Sequence, residues 1–171
     1  MMEERLDTSR RAVFMAGVHD GVPIALGYFV VAFTLGILAK TAGLTPWQGF
    51  VTSAVNIASA GEYAGFTVIE AQAPYVEIAL LTLVANARYF LMSAALSQRF
   101  SPETPLLHRL AVSFGVTDEV FGLTVARGGT VNPYYNYGAL AISVPAWSAG
   151  TSAGILAGGI LPAAAVSALS V

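Results

Sequence analysis

Apolar residues fall along this chain in long blocks, not in the alternation of a half-buried strand or the single stripe of a surface helix. Five blocks stand out, at residues 21–39, 47–69, 76–97, 106–126 and 138–160. Each is near the length of about 20 residues that carries a helix across about 30 Å of hydrocarbon at about 1.5 Å per residue. Between them lie breaks carrying Gly43 and Pro46, Pro74, Pro105, and Pro133, all residues that interrupt helices. A β-barrel needs alternating segments of about ten residues, which the sequence lacks, so helices are the spanning solution. The pattern predicts an all-α integral membrane protein with one transmembrane domain over residues 1–171. Residues 1–12 read as a short amphipathic or frayed cytoplasmic lead-in, with a disordered solvated tail as the alternative for residues 1–8. The first block, at 19 residues, exceeds the roughly 7–15 apolar residues of a signal peptide and reads as a retained span.

Composition agrees. Apolar residues make up 56% of the chain and charged residues 11%, against about 25% charged in a soluble domain. With a net charge of −2 there is no basic patch for nucleic acid. The chain has no cysteine and only two histidines, His19 and His108, too few for the usual metal centres. No serine stands in a nucleophile-elbow context, so an enzyme is the least favoured class. No metal or cofactor is expected.

The arginines constrain topology. Arg5, Arg10 and Arg11 form one cluster and Arg99 and Arg109 another, and the positive-inside rule wants both on the cytoplasmic face. If blocks one, two and three all cross the membrane, the clusters fall on opposite faces. If block two enters and returns on one side, the conflict disappears. Block two is interrupted by Ala58-Ser59-Ala60-Gly61 just before Glu62, and block four by Gly115-Val116-Thr117 just before Asp118 and Glu119. Overlaid at an offset of 57 (119 − 62), the two blocks share Ala-Val, Glu, Gly and Thr-Val positions. Two broken, re-entrant segments related as an inverted repeat are therefore expected, with two kinked spans as the alternative. Paired interrupted segments are the sequence pointer to a transport site, because half-helices ending in mid-membrane expose backbone groups and dipole ends.

Glu62, Arg88, Asp118 and Glu119 fall inside apolar blocks. At the bilayer centre each costs about 2.5–3.5 kcal/mol on insertion scales, so such groups pair, face water or neutralise. Arg88, 12 residues into its block and nine from its end, sits about 14 Å from the interface and needs one of the carboxylates as partner. Three anions to one cation leave two negative charges to be desolvated, which makes Glu62, Asp118 and Glu119 proton-carrier candidates. A fixed ion-pair network is the structural alternative. On block three, Thr82, Asn86, Ser93 and Ser97 form one polar stripe at helical spacing, from which Arg88 departs by about 200°. Asn86 is a binding candidate, with interhelical hydrogen bonding as its other role. Asp20, between His19 and Gly21-Val22-Pro23, reads as the cap of the first span, with a proton relay alongside His19 as a second role. Trp47, Trp147, Tyr134, Tyr135 and Tyr137 suit interface belts or a lining aromatic.

Four segments together, GVHDGVP (17–23), SAGEYAG (59–65), NARYFLMSAALSQ (86–98) and GVTDEVF (115–121), resemble the AzlC family, the larger subunits of bacterial branched-chain amino acid exporters. The resemblance runs in order from about residue 12 to residue 160. It implies proton-coupled efflux of leucine, isoleucine, valine and related analogues or methionine across the bacterial cytoplasmic membrane. It also implies a small hydrophobic AzlD-type partner. Glu62 stands where many members carry Gln. Members usually continue into further hydrophobic sequence, so a short or truncated chain is expected, its bundle completed by a partner or a second copy. On this reading a substrate zwitterion sits between the two broken segments. Its carboxylate meets half-helix N–H groups or Arg88, and its ammonium meets Glu62, Asp118 or Glu119. Asn86 stands with these binding residues, and the substrate side chain packs on Phe66, Phe90 or Phe121. Asp20 joins the three carboxylates as a proton-coupling residue. A passive channel and a non-transporting assembly subunit are the rival functions.

Overall fold

The computed structural model describes the backbone of residues 2–160 and the side chains of residues 9–160. These residues form eight helices and no strand; a single isolated bridge joins Phe100 to Val131. The helices are α1 (Met2–Thr41), α2 (Pro46–Val55), α3 (Ser59–Glu70), α4 (Tyr75–Asn86), α5 (Arg88–Ser97), α6 (Leu106–Phe114), α7 (Asp118–Ala126) and α8 (Pro133–Gly158). Two of them, α1 from Ser9 onward and α8, are long and apolar enough to cross a bilayer. The pair α4 and α5, bent by 47°, makes a third span if taken together.

The chain divides into two compact units, one holding residues up to Ile24 with Arg88–Ser143, the other Ala25–Ala87 with residues from Val144 onward. Each unit takes part of α1, part of α8 and one interrupted pair, α6–α7 in the first and α2–α3 in the second.

In the first unit α1 and α8 run in the same direction, Gly17 lying against Tyr135 and Gly21 against Ile142. A side chain at Gly17 would strike the Tyr135 carbonyl and one at Gly138 the Phe14 carbonyl. Small residues are what lets helix backbones approach this closely in lipid. The apolar core comprises Leu96, Phe100, Val112, Val116 and Val131, with Met92 and Phe121 packed on it. At one end of this unit the connections are tied together. Arg99 donates through Nη2 to the Gly129 carbonyl at 2.8 Å, and the Val131 N–H donates to the Arg99 carbonyl at 2.9 Å. Arg109 donates to the Ser101 and Thr104 carbonyls, and Arg10 lies over the Tyr134 ring. Thus α6 begins, and α7 finishes, at the end where α1 carries Arg10 and α8 starts.

In the second unit α1 and α8 again run in the same direction, Gly150 against Phe29 and Gly154 against Phe33. The start of α2 carries a full capping box between Thr45 and Gln48 with Pro46 at its first position, so its end is fixed by local sequence. Ser152 donates to the Pro46 carbonyl at 2.7 Å, holding that end on α8. α3 packs along α4.

Several expectations need correction. Asp20 does not cap a helix: α1 runs unbroken from Met2 and carries Pro23 in its interior. A proline removes one N–H donor, but a helix this long, packed on a neighbour, absorbs that loss. The side chains of Glu3, Glu4, Arg5 and Asp7 in the lead-in lie outside the described residues, whose backbone there is helical. The interruption of block two falls at residues 56–58, ahead of Ser59. The polar stripe on block three is not continuous, because the helix breaks between Asn86 and Arg88. The two interruptions, 56–58 and 115–117, recur at a spacing of 59 (115 − 56), two residues away from the offset at which the sequence identities align.

Candidate functional site

The break between α2 and α3 creates the most unusual chemistry in the second unit. Asn56, at the C-cap of α2, and Ala58, at the N-cap of α3, both leave helical geometry. Ala58 supplies no side-chain cap, so the first amides of α3 are left for other partners. Glu62 follows in the first turn of α3, where the positive end of the helix favours a carboxylate. Its side chain is 1% exposed and, among the described residues, forms no ion pair. Trp147 Nε1–H donates to Oε1 at 2.6 Å. Ser53 Oγ lies 3.1 Å from Oε2 and 2.7 Å from Thr151 Oγ1.

A hydroxyl has one proton to give and two lone pairs with which to accept. With Glu62 ionised, Ser53 donates to the carboxylate and accepts from Thr151. With Glu62 protonated, the carboxyl donates to Ser53, which donates to Thr151, whose hydrogen turns to the Trp147 carbonyl at 3.5 Å. The same heavy atoms therefore accommodate both protonation states, with Trp147 donating in each. That is the wiring a proton carrier requires.

Beside this carboxyl, Gly61 lies between two carboxamides. A Cβ there would come to 2.7 Å from Asn86 Nδ2 and 3.1 Å from Asn56 Nδ2. Asn86 Oδ1 and Ser148 Oγ are buried polar atoms without a hydrogen-bond partner among the described residues, a state that proteins rarely leave uncompensated. Phe66, one turn beyond Glu62, is buried, and the Tyr28 ring meets Trp147 edge-on at 5.3 Å.

The remaining sequence candidates belong to the first unit. Arg88 opens α5 and its Nη2 lies 2.8 Å from Asp118 Oδ2, both side chains being nearly half exposed. Asp118 opens α7, whose first turn is capped by Thr117 Oγ1 accepting from the Val120 N–H. Glu119 is the next residue and exposed. Asp20 accepts from the Tyr135 hydroxyl at 2.8 Å and lies 3.1 Å from His19 Nδ1. Asn136 donates to Thr124 Oγ1 at 2.7 Å, leaving its Oδ1 buried and unpartnered among the described residues. Of the phenylalanines, Phe121 packs on the core of this unit and Phe90 is exposed.

The residues that sequence reasoning missed are Ser53, Thr151 and the Trp147 role. Block five carries no charge to mark it, and on sequence alone Trp147 and Tyr135 suit interface belts or a lining aromatic. Both are buried, each donating to a carboxylate. One signal was present: Trp147 and Thr151 are four residues apart and so share a helix face with each other.

The family profile described as AzlC protein matches residues 23–161. A membrane protein of Archaeoglobus fulgidus is 30% identical over 153 residues, covering 90% of this chain and 66% of that protein. The Escherichia coli inner membrane protein YgaZ is 32% identical over 117 residues, covering 68% of this chain and 47% of its own length. A Helicobacter pylori membrane protein is 28% identical over 114 residues, covering 64% and 49% respectively. The chain thus spans about half to just under two thirds of the length of these relatives. No solved structure matches it significantly. With the profile covering most of the sequence and relatives that are membrane proteins, the chain belongs to the AzlC family and is a membrane protein.

Proposed function

We propose that this chain is an export subunit for branched-chain amino acids, driven by the proton gradient of the cytoplasmic membrane and completed by a small AzlD-type partner. Leucine, isoleucine and valine are its substrates, with methionine accepted on size, since an apolar pocket separates one methylene by only about 1–3 kcal/mol. The observation that carries this reading is Glu62, a carboxyl buried at a helix break and wired to function in either protonation state. Ionised, Glu62 attracts the substrate ammonium, and the unpartnered Asn86 Oδ1 accepts from the same group. The uncapped amides of α3 receive the carboxylate, and Phe66 bounds the side chain. Protonation of Glu62 weakens the hold on the ammonium, so proton and substrate exchange. In the first unit, Arg88 and Asp118 form an opposed pair that a zwitterion can enter, while Glu119 and Asp20 are further proton acceptors.

The arrangement of the first unit supports a re-entrant α6–α7, because both ends of that pair meet at the end carrying Arg10, Arg99 and Arg109. Such an accumulation of arginine marks the cytoplasmic face. An inverted α2–α3 counterpart completes the repeat.

Transport into proteoliposomes tests the function. Chain and AzlD-type partner reconstituted together should accumulate radiolabelled leucine against its gradient when a proton gradient is imposed. Movement of leucine only down its own gradient makes the protein a pore, and accumulation by the partner alone leaves this chain an assembly role.

A further inference from the structure

A cavity of about 510 Å³ opens at the arginine-rich end of the first unit, outside every residue invoked above for transport. That volume lies within the usual range for small-molecule sites, about 300–1,000 Å³. Its walls come from three stretches: Ser9 and Arg10 of α1, residues 101–105 of the α5–α6 connection with His108 of α6, and residues 130–134 at the start of α8. Two opposite charges face it, Arg10 and Glu103, and among the described residues neither forms an ion pair. Arg10 is held over the Tyr134 ring at 5.3 Å from its centroid. The Tyr134 ring stands 5.9 Å from that of His108, and His108 Nδ1 lies 2.8 Å from the Tyr137 hydroxyl. This aromatic wall is thereby fixed in place. Arg109 donates to the Ser101 and Thr104 carbonyls, setting the loop that presents Glu103.

We infer that this cavity is an intake site for a small zwitterion, its anionic oxygens on Arg10 and its ammonium on Glu103, with an apolar group against Tyr134, Pro105 and Val131. A purely anionic ligand would be repelled by Glu103 and a purely cationic one by Arg10, so both charges together select a ligand carrying both. Two sources offer that chemistry: a free α-amino acid and the headgroup of phosphatidylethanolamine. The charge pattern stands by itself; only the choice of leucine as probe rests on the export reading.

The intact chain in nanodiscs, made with phosphatidylcholine alone or with added phosphatidylethanolamine, distinguishes them. In phosphatidylcholine discs, wild type should bind leucine at least tenfold more tightly than 4-methylpentanoate or 3-methylbutylamine, each of which lacks one charged group. Arg10→Gln and Glu103→Gln should each weaken leucine binding about tenfold, and Arg10→Lys should restore part of it. Arg10→Gln should strengthen 3-methylbutylamine binding by removing the like charge, which a general loss of structure would not do. If leucine is indifferent to both substitutions but phosphatidylethanolamine retention in native mass spectrometry depends on both, the zwitterion site stands with the lipid as its ligand. Indifference of both ligands overturns the inference. Leucine binding that depends on Arg10 and Glu103, without proton-driven leucine transport, retains this site and removes the export reading; transport unaffected by either substitution does the reverse.

Discussion

At the scale of single residues, the second unit depends on how Glu62 is satisfied. Its two hydrogen bonds come from groups that are themselves buried, Ser53 and Trp147. Glu62→Gln keeps the shape, accepts from Trp147 and donates to Ser53, so its melting temperature in detergent should stay close to wild type. Glu62→Leu leaves the buried Trp147 Nε1–H without its acceptor, while Ser53 still donates to Thr151, at about 1–3 kcal/mol for the unsatisfied group, and should melt lower by circular dichroism. Equal melting of the two variants would mean that the carboxyl is not held as described. Gly61→Ala forces Asn86 aside, because the new methyl would lie 2.7 Å from its Nδ2. That substitution should weaken leucine binding while leaving Trp147 fluorescence unshifted.

At the scale of elements, close contact between α1 and α8 is set by glycines whose places side chains cannot fill. Gly154 faces the Phe33 carbonyl and Gly36 the Thr151 carbonyl. Gly154→Leu should push the helices apart, lower the melting temperature by several degrees, and disturb Thr151 and with it the Glu62 network. Wild-type melting in that variant would contradict the packing. How much of this could be read from sequence follows from the range of each interaction. Helix type, the positions of the long apolar elements and the break at residues 115–117 are local properties, written in hydropathy, Gly and Pro, and they emerge from the sequence directly. The 47° bend between Asn86 and Arg88 has no Pro or Gly to announce it. Asp20 reads as a cap if the helix begins with the first apolar block, whereas α1 runs unbroken from Met2 through the six residues of mixed polarity between Phe14 and Gly21. Ser53, Trp147 and Thr151 meet Glu62 across 9, 85 and, through Ser53, 98 residues of chain. No spacing rule reaches that far.

At the scale of the whole molecule, the absence of native cysteine makes topology directly measurable. Single cysteines at Ser9, Ser101 and Thr130, reacted with a membrane-impermeant maleimide in inverted vesicles, should all label from the cytoplasmic face, since Arg10, Ser101 and the connection before α8 share one end of the first unit. Labelling of Ser101 and Thr130 from opposite faces would make α6–α7 a crossing instead of a re-entrant pair. The central claim is that a substrate ammonium and a proton compete for Glu62. It is tested most directly by adding leucine to the purified complex in weak buffer and following the proton count with a pH dye. Wild type should release about one proton per leucine bound, and Glu62→Gln should bind leucine without proton release. The same release from both proteins would contradict the account.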